Sequence, residues 1–262
     1  MAADCTRIFP SKSAKVRGVV IVAHGANLRP TRMDEFSLSL QENGFTVLRP
    51  GFTGHCPSDP DGFAKVSAEE WLADARRFHA EAKQLAHAAN APLYLAAYSF
   101  SAPIFMVQHQ ELPFDKRILF APAFETKWWY PAARILAWSL PLTFRYKSMN
   151  MADYRANNYG GAASARALDI ILSRWKRELA PNLQDAVPTL LFMDPKDELL
   201  SYQATKSFLA EKKWKSWRLE DISNAGATTT SKMHHLVIDS ASLGKAEWER
   251  VVKLSLQFLS EA

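Results

Sequence analysis

Only two cysteines, Cys5 and Cys56, occur in this chain of 262 residues. They are too few for a disulfide framework and lack metal-ligand spacing. Both therefore read as thiols, and a reducing, cytoplasmic setting is the simpler expectation. The histidines do not pair with carboxylates or cysteines at ligand spacing either, so no metal site is expected. No glycine-rich dinucleotide fingerprint follows the first apolar run, and no cofactor is expected. The stretch from Met1 to Pro10 carries Asp4 and Arg7 and has no apolar core, which speaks against a secretory signal. A long hydrophobic span is also missing. Residues 84–110 contain no Asp, Glu, Lys or Arg, but Asn90-Ala91-Pro92 and Pro103 interrupt them and Ser99 and Ser101 stand at their centre. They read as a helix end, a buried strand and a second helix. Charge of one sign is lacking too: the net charge of +5 is scattered, and Lys212, Lys213, Lys215 and Arg218 read as a solvated face. No nucleic-acid partner is expected.

What the chain does have is core: 48% of its residues are hydrophobic and 11% aromatic, enough for one α/β domain carrying an insertion. After a basic opening that suits an edge hairpin or a loose arm, Gly18 to Ala23 form an apolar run of the kind buried on both faces of a parallel sheet. A helix over 31–42, stopped by Asn43-Gly44, and a strand over Phe45–Arg49 follow. Ser67-Ala68-Glu69-Glu70 has capping-box spacing and opens a long helix with Trp71, Ala75, Phe78, Ala82 and Leu85 on one face. Next come the strand leading into Ser99, a helix to about 110 and the strand Arg117–Phe120. The alternation pauses at 123–180, which holds Trp128, Trp129, Trp138 and Trp175 and no convincing strand. It then resumes with Val187–Met193, a helix at 201–213, Lys215–Leu219 and a last amphipathic helix over 245–259. Alternating strands and helices predict a doubly wound sheet with its functional loops at the carboxyl ends of strands.

Ser99 lies where one such strand gives way to a helix. A serine on that corner is held in tight backbone angles that push Oγ out of the sheet and aim the next amides at a neighbouring oxyanion. The bland alternative is an N-cap serine. A serine hydroxyl becomes a nucleophile only when an imidazole takes its proton and a carboxylate holds the imidazole. Asp197, four residues past Met193, is placed for the carboxylate, with Asp194 and Glu198 as competitors. The loop 223–235 offers two adjacent imidazoles, His234 and His235, of which only one can be the base because neighbours point in different directions. The amides of Phe100 and Ala26 are candidates for the oxyanion hole. His24 reads as a residue bracing its loop.

Together, His24-Gly25-Ala26, Gly54-His55-Cys56-Pro57-Ser58, Ala97–Ser101, Pro195-Lys196-Asp197-Glu198 and His234-His235-Leu236 resemble the α/β-hydrolase superfamily, in particular its carboxylesterase and monoacylglycerol lipase-like group. The order Ser, Asp, His along the chain fits that arrangement. The resemblance implies an α/β-hydrolase fold: a mostly parallel central sheet with helices on both faces, a core of 1–122 and 181–262, and a helical cap over 123–180. By the family's His-x-Leu pattern it makes His234 the base, giving a triad of Ser99, Asp197 and His234. The sequence departs from the pattern at both elbow glycines, where Ala97 and Ser101 stand. The expected activity is cleavage of carboxylic esters of apolar acyl groups, with Trp128 and Trp129 of the insertion contacting a small-molecule substrate. The rivals are a peptidase or amide hydrolase, with Glu125 or Asp153 holding a substrate amine, and a hydrolase-fold binding protein without catalysis. Membrane attachment through Trp128 and Trp129 is not expected, since such aromatics are usually covered; oligomeric state is left open.

Overall fold

The computed structural model describes residues 5–181, 183, 185–230 and 232–261. Met1 to Asp4, part of the stretch read above for a leader segment, lie outside them. In chain order the strands are β1 (Arg7–Phe9), β2 (Gly18–Ala23), β3 (Phe45–Arg49), β4 (Leu93–Tyr98), β5 (Lys116–Phe120), β6 (Arg145–Lys147), β7 (Tyr159–Gly161), β8 (Thr189–Met193) and β9 (Trp217–Asp221). The helices are α1 (Asp34–Glu42), α2 (Gly62–Lys65), α3 (Ala68–Ala89), α4 (Ser101–Met106), α5 (Tyr130–Ser139), α6 (Ala162–Arg174), α7 (Tyr202–Lys212), α8 (Ser240–Leu243) and α9 (Lys245–Ser260).

Seven strands form one sheet in the order β1-β3-β2-β4-β5-β8-β9, parallel except for β1, which pairs antiparallel with β3 at the edge. Every residue of β2, β3, β4 and β8 is buried, as the apolar runs of β2 and β4 require of strands covered on both faces; in β3 the buried Arg49 is paired with Asp34. Two apolar layers flank the sheet. One, with Trp71, Phe78 and Trp175, lies under α3, α4 and α6; the other, with Phe36, Trp248 and Phe258, lies under α1 and α9. The capping box forms as its spacing predicts: the Glu70 amide donates to Ser67 Oγ, and the Glu70 carboxylate accepts from the Ser67 amide.

Three features differ from the sequence reading. Cys5 and Cys56 form a disulfide that closes a separation of 51 residues and pins the amino-terminal arm to the loop beside His55. The expectation of two thiols is therefore corrected, and the argument for a reducing compartment, which rested on them, falls with it. Cysteine count alone missed the pair because its partners come from an edge arm and a distant loop. Secondly, the insertion is not wholly helical: β6 and β7 pair antiparallel beside α5 and α6. Thirdly, its apolar side chains are not covered. Of the eleven large apolar side chains exposed among the described residues, nine fall between Trp128 and Tyr159. Trp175 behaves differently, stacking on Phe124 at 4.1 Å within the core.

Candidate active site

Strand β4 ends at Tyr98 and α4 begins at Ser101, so the chain must reverse direction across Ser99 and Phe100. Ser99 does this with φ of +56°, a left-handed angle for a residue with a Cβ. The corner cannot relax, because the Ser99 amide donates to the Phe120 carbonyl at 2.9 Å and its carbonyl accepts from Ala123 at 3.1 Å. The two residues that replace the customary glycines fit without exposure. Ala97 is buried in the sheet, and the buried Ser101 turns its hydroxyl to the Tyr98 carbonyl at 2.9 Å.

The carboxyl ends of β4, β8 and β9 bring three side chains together. His235 stands with Nε2 2.9 Å from Ser99 Oγ and Nδ1 2.8 Å from the Asp197 carboxylate. Nδ1–H donates to Asp197, which leaves Nε2 free to accept the serine proton. Asp197 is buried and also accepts from the amides of Leu199 and Leu200, both at 2.8 Å. Burial pushes its carboxyl up, but the His235 ring and those two amides outweigh it, so Asp197 titrates below the ordinary carboxylate range.

The structure thus differs from the expectation at the histidine. His234 points the other way, its Nδ1 2.8 Å from Asp194, and His235 takes the position between Ser99 and Asp197. The pattern His-x-Leu put the base two residues before Leu236, whereas this loop delivers the residue immediately before it. Asp194 and Glu198, the competitors of Asp197, both engage the same loop, but neither touches the ring that reaches Ser99.

Beside Ser99, the loop after β2 carries Ala26. Among the described residues, neither the Ala26 nor the Phe100 amide is spent on another protein acceptor, which leaves both available to an oxyanion. The loop is braced by buried imidazoles. His24 Nε2 accepts from the Phe52 amide at 3.2 Å, and His55 Nε2 accepts from the Asn27 amide at 2.9 Å. Burial pushes both rings down, His24 well below its ordinary value and His55 to about 4. Both are held neutral, as acceptors of amide protons must be. His24 is thus a brace, as read from the sequence. Asn150, for which the sequence offered no signal, reaches from the insertion to donate to the carbonyls of Ala26 at 3.1 Å and Asn27 at 3.0 Å.

A cavity of about 290 Å³ opens over Ser99 and His235, walled by Phe63, Trp129, Tyr130, Met149, Leu168 and Leu172 among others. Of the two tryptophans read as substrate contacts, Trp129 lines the cavity and Trp128 does not, standing 89% exposed. No carboxylate occurs in the lining among the described residues. Glu125 is paired with Lys176 and Asp153 borders a different cavity, so neither is available to hold an amine there.

The family described as serine aminopeptidase, S33, matches residues 14–226. A comparison with curated proteins finds no match. Solved structures share the fold at low identity. A substrate-analogue complex of a soluble variant of monoglyceride lipase from Saccharomyces cerevisiae has a TM-score of 0.77 at 14% identity, over 97% of this chain and 90% of that one. A structure of the metagenome-derived lipolytic enzymes LipS and LipT gives 0.74 at 17%, over 97% and 96%. Paleococcus ferrophilus monoacylglycerol lipase gives 0.67 at 14%, over 97% of each chain. At these identities the likeness is one of fold.

Proposed function

The chain belongs to the serine aminopeptidase S33 family of α/β-hydrolase fold, and from that membership we propose that it hydrolyses carboxylic esters of apolar acyl groups through an acyl-enzyme. The reading is carried by one observation: a single imidazole, His235, lies within hydrogen-bond reach of both Ser99 Oγ and Asp197. Ser99 Oγ attacks the ester carbonyl carbon while His235 Nε2 takes its proton. The carbonyl oxygen becomes an oxyanion facing the Ala26 and Phe100 amides. The C–O bond to the alcohol then breaks, and the alcohol leaves with the proton from Nε2. Water repeats the sequence on the acyl-serine, releasing the acid and restoring the hydroxyl.

The uncharged, largely apolar lining favours an ester over the aminopeptidase substrate that the family's description names, because a free amine has no carboxylate to meet in the cavity. We assign residues 123–180 as the cap over this cavity, from which Trp129 contacts the acyl or alcohol group. In a panel of ester and aminoacyl-amide substrates, turnover is expected for esters and is lost in Ser99→Ala. Preferred cleavage of aminoacyl amides, or full esterase turnover in folded Ser99→Ala, refutes the reading.

A second reading concerns where the substrate is met. The apolar side chains left bare on the cap, among them Trp128, Ile135, Leu136, Leu142 and Met149, suit a lipid–water interface better than bulk water. Met149 also walls the cavity, so a covering protein would obstruct the site whereas a lipid layer would feed it. This second reading departs from the expectation of no membrane attachment. No helix among the described residues is long and apolar enough to cross a membrane, so contact would be superficial. Co-sedimentation of Ser99→Ala with lipid vesicles, reduced by the double variant Trp128→Ser/Ile135→Ser, is the expected result; no sedimentation above a vesicle-free control contradicts it.

A further inference from the structure

His235 lies inside a loop, residues 222–239, in which no described residue belongs to a helix or strand. Regular secondary structure does not hold this base, yet a displacement of about 1 Å at a reacting group can cost about 100-fold in rate. The necessary constraint comes from the short turn after β8, Asp194-Pro195-Lys196-Asp197-Glu198. It presents three carboxylates to the loop, and only Asp197 touches the ring that reaches Ser99. Glu198 spreads its two oxygens over consecutive amides, accepting from His234 N–H at 2.7 Å and His235 N–H at 2.9 Å. Asp194, buried, accepts from His234 Nδ1 at 2.8 Å and from the Asn224 amide at 3.3 Å at the beginning of the same loop. From the other side, the Tyr98 hydroxyl donates to the His235 carbonyl at 3.0 Å.

We infer that Glu198 and His234 are positioning residues for the base, the first clamping the peptide that carries His235 and the second tying its neighbour to Asp194. The inference rests on the reading of His235 as the base. Bonds between an ionised carboxylate and backbone N–H groups are among the stronger hydrogen bonds, and a pair on adjacent amides fixes the direction of a peptide plane as well as its location. The adjacent histidines thereby divide the work: one ring anchors the loop, the other moves the proton. Neither Glu198 nor His234 lines the cavity among the described residues, so their loss acts on the chemical step and leaves substrate binding alone.

Steady-state kinetics on a soluble ester, with thermal melting alongside, test this in Glu198→Ala, His234→Ala, His234→Asn and His235→Ala. Glu198→Ala is expected to lower kcat about tenfold, equivalent to about 1.4 kcal/mol, with KM within about twofold of the parent. His234→Ala is expected to lower kcat similarly. His234→Asn, whose side-chain amide can donate to Asp194 from near the Nδ1 position, should recover most of that loss. Glu198 is solvent-exposed, so its removal leaves no core cavity and a cooperative melt near that of the parent is expected. A kcat for Glu198→Ala within twofold of the parent overturns the inference, as does a change confined to KM or a His234→Asn no better than His234→Ala. His235→Ala separates this from the underlying reading: substantial turnover there removes His235 as base, whatever the other variants do.

Discussion

Ser99 makes a prediction that opposes stability to activity at a single atom. Its φ of +56° lies in the region where a Cβ crowds the backbone, at a cost of roughly 1–2 kcal/mol relative to glycine. Bonds to Phe120 and Ala123 prevent the peptide from turning away. Ser99→Ala removes the hydroxyl and its contact with His235 but retains the Cβ and the crowding. Ser99→Gly removes both, offset by about 0.5–1 kcal/mol for the greater freedom of glycine in the unfolded chain. At the midpoints of the two ranges, the net difference favours the glycine variant by about 0.75 kcal/mol. For a chain of this size, 1 kcal/mol moves Tm by about 2–4 °C, so Ser99→Gly should melt about 1.5–3 °C above Ser99→Ala. Both should be inactive. Side-by-side calorimetry in one buffer measures the difference, and an equal or lower Tm for the glycine variant refutes the claim that this corner is strained.

Two further predictions concern the frame around the site. Replacing Cys5 and Cys56 by serine opens a loop of 51 residues, which loop-closure entropy values at about 4 kcal/mol as an upper figure. Denaturant unfolding of Cys5→Ser/Cys56→Ser, or of the parent in reductant, should show a lower midpoint, and an unchanged midpoint contradicts a formed bridge. Acid should also destabilise the fold through His24 and His55. Burial depresses both in the folded state, His55 to about 4 from an unfolded value near 6.5, so the unfolded chain binds more protons between those limits. Stability present above about pH 6.5 is therefore lost as pH falls toward 4, by up to about 1.4 kcal/mol per unit for each ring. Unfolding free energies measured from pH 7.5 to 5 should decline, less steeply in His55→Gln; a rise on acidification would falsify the sign.

The frame was legible in the sequence wherever one physical demand dominates. Buried parallel strands must be apolar on both faces, so Gly18–Ala23 and Leu93–Tyr98 could be read directly. A serine between such a strand and a helix implies a sharp corner, and Asp197 follows from its distance past β8. The choice between His234 and His235 was not legible, because it depends on the peptide orientation that Glu198 and Asp194 impose from another loop. The Cys5–Cys56 pairing and the β6–β7 ladder likewise arise from long-range contacts that leave no local periodicity. Trp128 and Trp175 look alike in sequence; only packing separates an exposed side chain from one stacked on Phe124.

The most direct test is covalent: treat the folded protein with a fluorophosphonate probe and locate the adduct by peptide mass spectrometry. A single modification is expected, on Ser99 in the parent, severely slowed in His235→Ala and only moderately slowed in His234→Ala. Folded parent protein that stays unlabelled, a label on another residue, or rapid labelling of Ser99 without His235 would contradict that expectation.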